Sequence, residues 1–148
     1  MKLTMFGKDY EVAKGSSAGE LLKAEYADDF KSYLAVKLED GSVIDLFTPL
    51  ENDAVVTPVT FADEEGKKVF RHSCAHLLSM AVLTLYPEAK LAIGPAIENG
   101  FYYDFDIDPP FTPEDLPAIE KAMDKLMRQS MRPKRFTLPR DKAIALMK

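Results

Sequence analysis

Apolar and polar positions alternate with a period of two at the start of the chain. Lys2–Phe6 and Tyr10–Ala13 flank the polar turn Gly7-Lys8-Asp9, a pattern that predicts a β-hairpin. Ser16 and Ser17 then offer helix caps, and Glu20 stands three positions after Ser17 as in a capping box. Ala18–Tyr26 is therefore expected to be a short helix with Leu21, Leu22 and Tyr26 facing inward. Leu34–Leu38 and Val43–Leu46, joined by the polar turn Glu39–Ser42, read as two further strands. Ala54–Phe61 is a β-branched run that suits a strand, with Pro58 expected to interrupt its ladder.

The predicted order is β-β-α-β-β-β within about 60 residues. One sheet packed on one helix buries those apolar faces, which gives an α+β fold of the β-grasp (ubiquitin-like) type. Ala62–Gly66 is a polar break and the expected boundary between a unit at 1–61 and a second at 62–148. In the second, the spacing predicts a helix from Lys67 to about Leu85, ended by Pro87. Lys90–Ile97 and Phe101–Asp106 read as strands around the hairpin signal Glu98-Asn99-Gly100. Thr112-Pro113-Glu114-Asp115 is a helix start, with threonine as cap, proline at the first position and acids in the first turn. That helix is expected to reach about Ser130, with Leu116, Ile119, Met123 and Leu126 on one stripe. Lys134–Leu138 reads as a further strand, and Asp141–Lys148 as a last helix.

Composition excludes several classes. The 148 residues are 47% hydrophobic and 29% charged, with no run near the ~20 apolar residues of a membrane span. No apolar stretch followed by a small-residue cleavage site opens the chain, and the single cysteine, Cys74, fits a reducing compartment; the expected location is cytoplasmic. Net charge is −5, but it is unevenly spread. From Arg128 onward seven basic residues face one acid, Asp141, so a phosphate-bearing partner would meet the basic end.

The sharpest chemistry is His72-Ser73-Cys74-Ala75-His76, which holds both histidines of the chain. On a helix, positions i and i+4 fall within about 40° of each other, so both imidazoles point into one space. Val69, Met80 and Leu83 fall beside them, while the main apolar stripe is Phe70, Leu77, Leu78, Ala81 and Leu85. Cys74 lies roughly opposite the pair and reads as a small core residue. Spacing alone leaves three roles open: two ligands of a metal site, a metal-free acid–base pair acting on a water, or a structural pair. The general-base glutamate of zinc proteases is absent, since Ser73 follows the first histidine.

Four runs in order, His72–Leu78, Tyr86–Leu91, Ile93–Asp106 and Pro110–Leu116, resemble the bacterial-type threonyl-tRNA synthetase family. The β-grasp segment ahead of them resembles the TGS domain of those enzymes. The resemblance covers essentially the whole chain, and its most specific part is the run Ile93–Asp106 at its distance from the histidines. Cys74, Ala92 and Asn99 stand where threonine, glycine and aspartate are common in the family. The resemblance implies an N-terminal fragment: a TGS domain plus the first part of the domain that hydrolyses mischarged tRNA. The parent charges tRNA(Thr) with threonine using ATP. Serine differs by one methyl group, worth only about 1–3 kcal/mol of discrimination, so a second, hydrolytic site removes seryl-tRNA.

That editing site, by resemblance, includes His72 and His76 as catalytic residues, with Tyr103 a candidate for the substrate pocket or else a packed strand aromatic. The resemblance implies no metal at the histidines. ATP, magnesium and zinc belong to the class II catalytic core, which lies outside this sequence, as do the anticodon-binding domain and the rest of the editing site. The fragment alone is expected to be inactive. The partner implied is the acceptor end of tRNA(Thr), and the parent is expected to be a homodimer. Two rival readings stand beside this one: a non-catalytic TGS module that binds RNA or protein, and a metal-dependent hydrolase assembled from two chains.

Overall fold

Alternation places Leu3 and Met5 of β1 (Lys2–Met5) on the inner face, both fully buried. β1 pairs antiparallel with β2 (Lys8–Glu11), and the register Met5↔Lys8 makes Phe6-Gly7 the turn. The computed structural model describes residues 1–131 and 136–146. The turn therefore falls earlier than the sequence pattern placed it. Its two residues have φ of 51° and 72°, as a two-residue type I′ hairpin turn demands. A bulky residue rarely adopts that conformation; here the Phe6 ring packs edge-on against Tyr26, 4.9 Å between centroids.

The expected capping box is formed at α1 (Ala18–Glu25). The Ser17 hydroxyl accepts from the Glu20 N–H at 3.3 Å, and the Glu20 carboxylate accepts from the Ser17 N–H at 2.8 Å. Leu21 and Leu22 point into the core, and the Tyr26 hydroxyl shares a 2.7 Å hydrogen bond with that of Tyr10. β3 (Tyr33–Leu38), β4 (Val43–Ile44) and β5 (Ala54–Thr60) complete a mixed sheet in the order β2-β1-β5-β3-β4, with β1 and β5 parallel. This is the β-grasp arrangement, with Leu3, Met5, Leu22, Val36 and Val56 at its centre. Pro58 does not interrupt β5. The β1 pairing stops at Val56, so Pro58 has a sheet neighbour on the β3 side alone, opposite Val36, where a missing donor is tolerated.

α2 (Glu64–Leu85) begins three residues earlier than expected, because Glu64 and Glu65 take the first turn, where acids complement the helix dipole. Asp63 stands at the N-cap, but its side chain makes no capping bond. Its carboxylate accepts from the N–H and hydroxyl of Thr60 at 2.7 and 3.1 Å, folding the end of β5 back toward the helix. Gly66 sits so close to β5 that an added Cβ would lie 1.8 Å from the Thr60 carbonyl oxygen.

A second core gathers Ala81, Val82, Ala89 and Ile119, with Leu78, Tyr86, Phe105, Phe111, Met123 and Leu126 against it. Thr112 and Asp115 form a reciprocal capping box, but the turn Pro113–Asp115 is 3-10, and α3 runs from Leu116 to Arg128. Leu116 is exposed rather than on the buried stripe; Ile119, Met123 and Leu126 are on it. The long hairpin is broken into β6 (Lys90–Leu91), β7 (Ala96–Ile97), β8 (Gly100–Phe101) and β9 (Phe105–Asp106). Ala92 donates to Asp104 and Asp104 donates to Ile93, so two residues face one in a β-bulge. The turn is Glu98-Asn99, with Gly100 already paired to Ile97. α4 spans Arg140–Leu146. Of the strand expected at Lys134–Leu138, 136–138 are irregular and 134–135 lie outside the described residues, as do 147–148 of the last helix and part of the basic segment. Among the described residues no helix is long and apolar enough to cross a membrane.

Candidate functional site

The i, i+4 spacing brings the two imidazoles together. The Nε2 atoms of His72 and His76 lie 3.0 Å apart, and their rings meet edge-on with centroids 4.5 Å apart. At that distance one Nε2 holds a proton and the other accepts it, so the pair is one donor and one acceptor. Both side chains are exposed, and Met80 and Leu83 beside them are exposed too. Neighbouring hydroxyls do not compete for the rings. Ser73 donates to the Val69 carbonyl and Ser79 to the His76 carbonyl, each at 2.8 Å.

The face of α2 that packs is narrower than its large apolar residues suggest. Phe70 and Leu85 are exposed, and the buried line runs through Ala75, Ser79 and Val82. Two of these three are small residues, which carry little weight in an apolar pattern. Cys74 is half-buried, and burial pushes its thiol up in pKa, which keeps it protonated and a poor nucleophile.

Tyr103 is half-buried on the long hairpin. The bulge puts it across from Gly94, where an added Cβ would fall 2.2 Å from the ring, and it stacks on Phe105 with centroids 4.7 Å apart. Among the described residues it makes no hydrogen bond or ring contact with either imidazole. Spacing did not single out Arg71, whose guanidinium Nη1 donates to the carbonyl oxygens of Ile97, at 3.2 Å, and Glu98. Only the fold reveals that link, because its acceptors are main-chain atoms 26 and 27 residues away.

Two nitrogens on one tetrahedral zinc stand about 3.3 Å apart, so this pair is near the spacing of two metal ligands. Among the described residues, however, no group of three or more His, Cys, Asp or Glu gathers as a ligand set. A separate open groove of about 410 Å³ lies between Lys31, Leu34, Phe61 and Phe70. It is almost wholly apolar, with Lys31 as its one ionisable side chain and no acid or histidine in its lining.

No family model matches the chain. Its relatives are tRNA ligases. The threonine–tRNA ligase of Clostridium tetani is 47% identical over 142 residues, 96% of this chain and 22% of the relative. That of Acetivibrio thermocellus is 49% identical over 137 residues, 93% of this chain and 20% of the relative. That of Desulforamulus reducens is 46% identical over 138 residues, 93% and 22%. The chain spans about a fifth of the length of these relatives. Over nearly its whole length the chain is thus similar to a segment of aminoacyl-tRNA ligases, and among these to threonine–tRNA ligases.

Proposed function

We propose that the chain is the N-terminal region of a cytoplasmic, homodimeric ligase that charges tRNA(Thr) with threonine using ATP, and that α2 supplies the imidazole pair that edits seryl-tRNA(Thr). In this reading 1–61 is the TGS domain and 62–148 the first part of the editing domain. The observation that carries it is the exposed Nε2–Nε2 contact of 3.0 Å between His72 and His76. A water or terminal ribose hydroxyl that displaces this direct contact, the rings parting to admit it, donates to one nitrogen and accepts from the other. One imidazole then takes a proton from the attacking water. The other gives a proton to the ribose oxygen as the seryl ester bond breaks. Tyr103, on the neighbouring hairpin, is proposed as part of the pocket wall. The described residues gather no ligand set for zinc; zinc, magnesium and ATP are assigned to the catalytic part of the ligase.

Acid–base assistance of this kind contributes about 10²- to 10⁴-fold. His72→Ala or His76→Ala in the intact ligase is expected to slow seryl-tRNA(Thr) hydrolysis by that order while leaving threonine charging unchanged. Hydrolysis that survives both substitutions would remove the pair from the chemistry.

A further inference from the structure

Arg71 immediately precedes His72, and its guanidinium reaches across to the tip of the β7–β8 hairpin. The acceptors are the carbonyl oxygens of Ile97 and Glu98, at the turn where the ladder ends with the pair Ile97↔Gly100. Among the described residues this is the one side-chain hydrogen-bonding link between that hairpin and α2. The hairpin has no basic residue of its own, since none occurs between Leu91 and Leu116. The other charge facing Arg71 is Glu64, which is already paired with Lys67. A charged donor to a carbonyl is roughly twice as strong as a neutral one, and here one guanidinium nitrogen, Nη1, spends its two hydrogens on adjacent carbonyls.

We propose that Arg71 is a positioning residue that clamps the β7–β8 hairpin onto α2, fixing the wall beside the imidazole pair and so the width of the cleft that receives the terminal ribose. The proposal rests on the editing reading for its consequence in catalysis, but the clamp itself is a property of this chain. Arg71 touches no reacting atom; its role is to keep main-chain atoms of the hairpin at a fixed distance from the turn of helix that carries His72. A loosened wall weakens substrate binding without altering which protons the imidazoles carry.

Two measurements test it. Amide hydrogen exchange on the chain is expected to show Arg71→Met raising exchange at residues 96–101 by about tenfold or more, with the β1–β5 sheet unchanged. In the intact ligase the same variant is expected to raise KM for seryl-tRNA hydrolysis by about 10- to 100-fold. The pH profile should keep its shape, whereas His76→Ala should alter it. Arg71→Lys keeps the charge and stem and should fall between. It also serves where Arg71→Met costs the sheet its protection. Hairpin exchange unchanged in both variants overturns the clamp. Hydrolysis constants unchanged in both variants overturn its role in the cleft. If the unsubstituted ligase hydrolyses no seryl-tRNA, the editing reading fails instead, and the exchange result still decides the clamp.

Discussion

The contact between His72 and His76 constrains the protons of the site. Their Nε2 atoms are bonded to each other, so the pair cannot hold a proton on both facing nitrogens without opening. The spacing of four residues made this much legible in the sequence, because helical geometry alone aligns i with i+4. The neighbourhood of Tyr103 was not legible. Which residue lies beneath its ring depends on the bulge at Ala92–Ile93, a one-residue slip that no apolar pattern records. The slip pairs Tyr103 with Gly94, and the ring occupies the space a side chain would need. Gly94→Ala is therefore expected to push Tyr103 off Phe105 and destabilise the second core by about 1–3 kcal/mol. Loss of near-ultraviolet tyrosine dichroism together with a lower denaturation midpoint would show it; an unchanged spectrum would contradict it.

At the scale of elements, three turns share one device: a carboxylate that accepts from the backbone N–H three residues before it. Glu20 bonds to Ser17, Asp63 to Thr60 and Asp115 to Thr112. Each carboxyl is held below its ordinary pKa, first by that backbone hydrogen bond. Hydroxyl contacts add to this: the same serine or threonine in each case, and at Asp115 also the Tyr86 phenol. A folded-state pKa below the unfolded one means stability that is complete above the ordinary carboxylate range of about 4. It declines as pH falls through that range and is lost below the lowered values. Urea midpoints are expected to fall steadily from about pH 5 to pH 2, and Asp115→Asn to flatten part of that slope. The boxes at Ser17 and Thr112 could be read from spacing because their chemistry is local. The turn at Phe6-Gly7 could not, since the positive φ of Phe6 is tolerated through rings that come from elsewhere in the chain, Tyr26 and Tyr33.

Across the whole molecule there are two apolar cores, one under the β-grasp sheet and one between α2, α3 and the long hairpin. The element order of the first was legible because alternating strands and one amphipathic helix have few ways to pack. The second was only partly so: its helices were expected, but the buried line of α2 runs through the small side chains Ala75 and Ser79, which an apolar pattern passes over. The join between the cores was not visible at all. It includes the Phe61–Phe70 ring pair at 5.2 Å, the Lys37–Glu65 ion pair at 2.7 Å, and Gly66 against Thr60. The ion pair is half-buried and still open to solvent, so it contributes little; the glycine contact has no slack. Gly66→Ala is expected to cost about 1–3 kcal/mol and to loosen protection of the first turn of α2, which hydrogen exchange would report. Full protection in that variant would show that the helix start can yield. With Gly66 seated on the last residue of β5, α2 acts as a ruler. At about 1.5 Å per residue, His72 and His76 stand about 9 and 15 Å along its axis from that seat. A molecule held against the sheet thus meets the imidazoles at a distance set by counting residues, and inserting even one residue into α2 before His72 would also swing the pair about 100° around the axis.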